Sequence, residues 1–198
     1  MKKFEEQKFN IPELKGISKK SVEEHLKLYA GYVKHANLIL EHIEELAKDS
    51  EKFAYELGEL QRRFSFEFNG MRNHEFYFRS FEGGSTPLVA GGSLAKAVGR
   101  EWVSVEAFLN RFKAIALTRG IGWAILFYDL ETKRLLTQWV DEQHLGHLTT
   151  CSTVLALDMW EHSYVADYSP SGKKQYVEDF FANLNWGVIE NNFEQALK

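Results

Sequence analysis

Apolar residues recur every three or four positions from Val22 through Leu26, Tyr29, Val33, Ala36 and Leu40 to Ile43. They do so again from Phe53 through Leu57, Leu60, Phe64, Phe68, Met71 and Phe78 to Phe81. That spacing lines one face of an α-helix, so the first half of the chain is committed to two long amphipathic helices. The charged break Lys48-Asp49-Ser50-Glu51 is short, and helices joined so closely pack as an antiparallel hairpin. Ser21, with Glu24 three residues on, has the form of a capping box and predicts the first helix start.

Gly83-Gly84-Ser85-Thr86-Pro87 and Gly91-Gly92-Ser93 punctuate the chain, dividing it into a helical-hairpin domain over 1–86 and a second domain over 92–198. A short helix around Leu94 to Val98 and a longer one from about Val105 to Arg119, stopped by Gly120, open the second domain. Trp123 to Tyr128, a turn at Glu131-Thr132-Lys133, and Leu135 to Val140 then read as a strand hairpin. Thr153 to Leu157 is a third strand. The spacing of Tyr176, Phe180, Phe181 and Leu184 returns to helical, and the chain closes on helix-like sequence. The expected class is α+β: a helical hairpin, then a mixed domain with a small three-stranded antiparallel sheet and flanking helices.

A chain of 198 residues, 44% hydrophobic and 26% charged, buries a core without disulfide staples and is not a disordered or fibrous sequence. Its net charge of -4 argues against a nucleic-acid partner. The single cysteine, Cys151, excludes an intramolecular disulfide and a Cys-rich zinc site and fits a reducing compartment, the cytoplasm. Glu5-Glu6-Gln7-Lys8 interrupts any signal-peptide pattern after Met1-Lys2-Lys3, and no stretch is apolar enough to span a membrane.

Two histidines interrupt the apolar faces of the two long helices. His25 falls three after Val22 and four before Tyr29, and His74 three after Met71 and four before Phe78. Each alone is accounted for as a core histidine satisfied by a hydrogen bond. Two facing one interface need partners, and a shared cation supplies one. His35 and His42 carry no such signal and are surface residues. The third strand ends at Asp158, with His162 four residues later, and a carboxylate at the end of an apolar strand must be hydrogen-bonded, paired or metal-bound. Joined with His25 and His74, these would give three imidazoles and one carboxylate, a set suited to iron or manganese.

Several of these segments resemble the iron/manganese superoxide dismutases, over about Ile11 to Asn192. Asp158-Met159-Trp160-Glu161-His162 is similar to that family's Asp-Val-Trp-Glu-His signature. Asn73-His74 resembles its second-helix segment, Ile17-Ser18 through Glu24-His25 its first-helix segment, Gly120-Ile121-Gly122-Trp123 its Gly-x-Gly-Trp stretch, and Asn185-Trp186 its Asn-Trp near the C-terminus.

The resemblance implies disproportionation of superoxide to oxygen and hydrogen peroxide at one ion per subunit. His25, His74, Asp158 and His162 would be the protein ligands, with solvent in a fifth position. A glutamine or histidine bonds this solvent in the family, from the second helix or from the loop before the aspartate-bearing strand. The helix position here is Gly70, so the loop would supply Gln143, or His144 in its place. That arrangement points to manganese in preference to iron. Trp123 and Trp160 would wall the site. Glu161 would reach across a twofold interface to the partner subunit's His162, making the protein a homodimer or a tetramer.

The family's channel histidine and tyrosine, four and eight residues after the first ligand, have Tyr29 and Val33 at their ungapped positions, and a cross-subunit tyrosine has Val165. The gateway is therefore rebuilt, with either Tyr32, favoured because Tyr32-Val33 resembles the family's Tyr-Val pair, or Tyr29 as the gate. Lys173 and Lys174 stand near the family's arginine ahead of Tyr176 and are candidates for attracting the anion. The competing reading is a catalytically weak or silent member with a structural or interaction role. A di-metal carboxylate bundle would need Glu-x-x-His pairs, which the chain lacks.

Overall fold

A computed structural model describes residues 2–198. Helix α1 (Lys19–Leu46) and helix α2 (Ala54–Arg79) form the hairpin, joined through a 3-10 turn at Ala47–Asp49. The start of α1 differs from the capping-box expectation. Ser18 is the N-cap and its side chain accepts the Ser21 amide, while Ser21 lies buried inside the first turn. Ser18 sits in extended backbone, the conformation a cap requires, and Ser21 is already helical. The buried stripe of α1 is Ser21, His25, Tyr29, Val33, Ala36 and Ile39, one residue round from the expected face at its two ends. Leu40, Ile43, Leu57 and Leu60, at the far end of the hairpin, are half-buried and lie outside the main core.

Helices α3 (Ser93–Trp102) and α4 (Val105–Ala116) follow, and then strands β1 (Gly122–Asp129), β2 (Arg134–Asp141) and β3 (Cys151–Asp158). Helix α4 ends at Ala116, short of the expected Arg119, where Thr118 turns back onto the Ile115 carbonyl. The antiparallel sheet has the order β2-β1-β3. Its central strand is buried on both faces, which is why Trp123 to Tyr128 is an unbroken apolar run instead of an alternating one. The short helix α5 (Val165–Tyr168), α6 (Lys173–Asn183) and α7 (Trp186–Ala196) complete the chain. This is an α+β fold. No helix among the described residues is long and apolar enough to cross a membrane.

The register of the sheet decides what meets at its end. Trp123 pairs with Val140 on one side and with Asp158 on the other, and the Met159 amide donates to the Gly122 carbonyl. A Cβ at Gly122 would strike the Val140 carbonyl, so this close approach admits only glycine. Helix α2 packs on β3 and brings the hairpin over the same end of the sheet. Asn185 clamps the segment between the helical hairpin and α3. Its side chain donates to the Glu82 carbonyl and accepts from Thr86 Oγ1, and its amide donates to the Ser80 carbonyl.

Candidate metal centre

His25 and His74 face each other across the hairpin because each occupies a buried position of its helix, their rings 4.9 Å apart. Asp158 is the last residue of β3. His162 follows within a 3-10 turn at Glu161–Ser163, and no helix carries the pair. That turn is built by Asp158 itself, whose Oδ1 accepts the Trp160 amide at 2.8 Å, and by Ser163, whose hydroxyl donates to the Trp160 carbonyl at 2.7 Å. The Tyr176 hydroxyl fixes the strand end from behind, donating to the Asp158 carbonyl at 3.0 Å and lying 3.1 Å from the Tyr77 hydroxyl.

The three imidazoles converge on one carboxylate oxygen. Nε2 of His25, His162 and His74 lies 3.1, 3.2 and 3.5 Å from Asp158 Oδ2. One ligand atom from each of the four residues falls within 4.8 Å of the others. Atoms bonded at about 2.0–2.2 Å to one ion sit at most about 4.4 Å apart, so a slight contraction would enclose a cation. His74 Nδ1 lies 2.6 Å from the Gly70 carbonyl and donates to it, which fixes the tautomer and aims the bare Nε2 inward. That buried Nε2 has no hydrogen-bond partner. An orphaned imidazole nitrogen beside a fully buried carboxylate is what a bound metal would satisfy.

The electrostatics of the cluster favour the ligating states. Burial, with the nearby His25 charge second, lowers the His74 pKa to about 3, and burial likewise lowers His25. Burial pushes the Asp158 carboxyl up, but the charges and hydrogen bonds of His162 and His25 outweigh it and hold the group well below the usual carboxylate range. Two neutral imidazoles and an ionised carboxylate are therefore ready to bind.

Around the four stands a chain of polar contacts. Gln143 is fully buried, its Oε1 accepting from Trp123 Nε1 at 2.8 Å and its Nε2 donating to the Tyr32 hydroxyl at 2.9 Å. It reaches inward because the loop is pinched by the Asp141 amide on the Leu145 carbonyl at 2.8 Å. Glu142 takes a left-handed φ of 51°, and Asn73 Nδ2 donates to the Gln143 carbonyl at 3.0 Å. His144, the alternative at this place, packs against Phe66 with centroids 5.7 Å apart and is not part of the chain of contacts. Trp123 lies against His74, centroids 5.0 Å apart, and Trp160 stacks on His162 at 5.8 Å.

The two tyrosines of α1 diverge. Tyr29 is buried away from the cluster, accepting the Gln7 amide at 2.9 Å and donating to Glu75 Oε1 at 3.3 Å. Tyr32 lies over His74, ring centroids 5.0 Å apart, and lines a cavity of about 410 Å³ opening to the surface. Gly70 makes this possible: a Cβ there would fall 2.5 and 2.7 Å from Tyr32 Cδ1 and Cε1. Glu161 is exposed beside His162, Val33 is core, and Val165 opens α5.

Lys173 and Lys174 do not line that cavity. Lys173 donates to the Thr118 carbonyl at 2.9 Å and lies over the Trp139 ring, and Lys174 is exposed on α6. The cavity instead carries Arg63 and Glu67 of α2, which are not part of the apolar periodicity of that helix. The available signal was their i,i+4 spacing, with Glu67 three residues before Gly70 on the buried face.

Residues 90–192 match the family described as iron/manganese superoxide dismutases, C-terminal domain. Among curated relatives, the protein of Cupriavidus metallidurans named superoxide dismutase (Fe) is 35% identical over 189 residues, covering 93% of this chain and 92% of that one. The Pyrobaculum aerophilum protein of the same name is 31% identical over 178 residues, covering 87% and 82%. Superoxide dismutase (Mn/Fe) of Aeropyrum pernix is 32% identical over 178 residues, covering 87% and 80%. With this coverage, and with the converging histidines and aspartate already described, the chain belongs to the iron/manganese superoxide dismutases.

Proposed function

We propose that the protein disproportionates superoxide, two anions and two protons yielding dioxygen and hydrogen peroxide. The observation that carries this is the convergence of the buried His25 and His74 and the half-buried His162 on the buried Asp158 Oδ2, with the His74 Nε2 left bare. These four residues would hold the metal. A bound iron or manganese ion supplies one-electron chemistry at a potential set by its ligands and their hydrogen bonds.

The chain's own residues do the rest. Trp123 and Trp160 exclude bulk water from the cluster. Gln143, fixed at both ends of its amide, presents an N–H to Tyr32 Oη, so the phenol proton is directed elsewhere. Burial, with the charges of Asp158 and Glu67, raises the Tyr32 pKa well above its ordinary value. Tyr32 therefore stays a hydroxyl at neutral pH and holds a proton at the cavity floor for each reduced oxygen species.

Three imidazoles and a carboxylate serve iron and manganese alike. Gly70 with Gln143 arriving from the loop is the argument for manganese, and the iron in the Cupriavidus and Pyrobaculum names is the argument against a preference for it. We further propose a cytoplasmic homodimer in which Glu161 pairs with the partner subunit's His162, and two domains, 1–86 and 92–198.

Loading the protein separately with each metal and following superoxide decay tests the function. One ion per chain and catalysed decay, both lost in His74→Ala, are expected. Protein that holds neither metal and leaves the decay unchanged would be a silent member of the family.

A further inference from the structure

The cavity above Tyr32 has a charge pattern that the reaction chemistry does not use. Arg63 is the only lysine or arginine among its described lining residues, and Glu67 is its only carboxylate. Glu67 is buried on α2 and accepts from Arg63 Nε at 3.0 Å, with Nη2 also at 3.0 Å. The guanidinium carbon stands 3.7 Å above the centre of the Phe66 ring. A guanidinium has five N–H donors in a rigid fork, and engagement with Glu67 leaves the remainder free. The Arg63 side chain is 51% exposed, so these donors face the solvent from which a substrate arrives. Phe66 in turn contacts Tyr32 and Trp160, with centroids 6.0 and 6.4 Å apart, which places the stacked cation on the cavity wall.

Superoxide is a small monoanion and the chain carries a net charge of -4, so capture depends on a local positive group. We propose that Arg63, held by Glu67 and stacked on Phe66, is the residue that receives the anion at the mouth of the site. This rests on the dismutase reading. Lys173, turned onto the Thr118 carbonyl, does not serve that purpose. Arg62 is the natural control: it carries the same charge one residue away and is likewise paired with a glutamate, Glu59, but it does not line the cavity.

The test compares metal-loaded wild type with Arg63→Gln, Arg63→Lys and Arg62→Gln at matched metal content. It has two readouts: the second-order rate constant of superoxide decay as a function of ionic strength, and the affinity for azide, a small monoanion titrated optically. Arg63→Gln is expected to lower the rate constant about three- to tenfold at low ionic strength, to flatten its salt dependence and to weaken azide binding. Arg63→Lys keeps the charge but loses the fork and should restore only part of both, and Arg62→Gln should change neither. If Arg63→Gln matches Arg62→Gln in both readouts, the proposal is overturned while the dismutase stands. If Arg63→Gln weakens azide binding in a protein that does not dismute, the anion site stands and the proposed function falls. If the wild type holds no metal, both fall.

Discussion

Gly70→Ala is the smallest change that should disturb the site without touching a ligand side chain. A methyl group there would sit 2.5 Å from Tyr32 Cδ1, 2.7 Å from Cε1 and 3.0 Å from Cγ. Carbon atoms settle at about 3.5–4.0 Å, so the ring must retreat by about 1 Å. The retreat stretches the 2.9 Å bond from Gln143 Nε2 past any useful length and leaves a buried amide short of a partner. Overpacking costs about 1–3 kcal/mol and the lost hydrogen bond about 1 kcal/mol more, against about 1 kcal/mol gained from alanine in a helix interior. The net loss is about 1–3 kcal/mol, which for a chain of this size lowers Tm by roughly 3–8 °C.

The background makes the reasoning testable. In Tyr32→Ala the obstructing ring is gone, and Gly70→Ala should be neutral or raise Tm by about 1–4 °C. In Tyr32→Phe the ring remains and the loss should persist. Calorimetry on the metal-loaded proteins reads the coupling, and superoxide decay should fall with Gly70→Ala while metal content holds. If Gly70→Ala has the same effect in all three backgrounds, the packing argument is refuted.

Three further outcomes follow. Gln143→Leu keeps the volume but strands the Trp123 N–H, and should cost about 1–3 kcal/mol along with most of the activity; an unchanged melting curve would remove Gln143 from the contact chain. The metal-free protein should lose stability as pH falls. His74 has its folded pKa lowered to about 3, so below about pH 6.5 the unfolded chain takes up a proton that the folded one refuses, and this deepens toward pH 3. A Tm flat between pH 7.5 and 5 would contradict this, and the metal-loaded form should release its ion over the same window. Ser18→Ala removes the cap of α1 and should cost about 1 kcal/mol by urea unfolding, where a null effect would return the helix start to Ser21.

What the chain reveals before folding depends on whether a residue breaks a pattern. His25 and His74 are legible because both interrupt apolar stripes that face one interface, where two imidazoles need a shared partner, and Asp158 because it closes an apolar strand. The strand hairpin is legible from its two apolar runs and polar turn, although burial of β1 on both faces erases the alternation that would have given its register. Ser21 misleads because serine and glutamate at three-residue spacing also occur inside a first turn, and only backbone conformation selects Ser18. The choice between Tyr29 and Tyr32 turns on side-chain direction: the first swings to Gln7 and Glu75, the second into the space Gly70 leaves. Arg63 and Glu67 look like one more surface pair until the cavity beside them is seen.

Anomalous diffraction at the iron and manganese edges, on crystals of protein loaded with each metal, would locate the ion directly. The expected result is one peak per chain, enclosed by His25, His74, Asp158 and His162. A peak bound elsewhere, or four intact side chains that leave both metals in solution, would contradict the central claim.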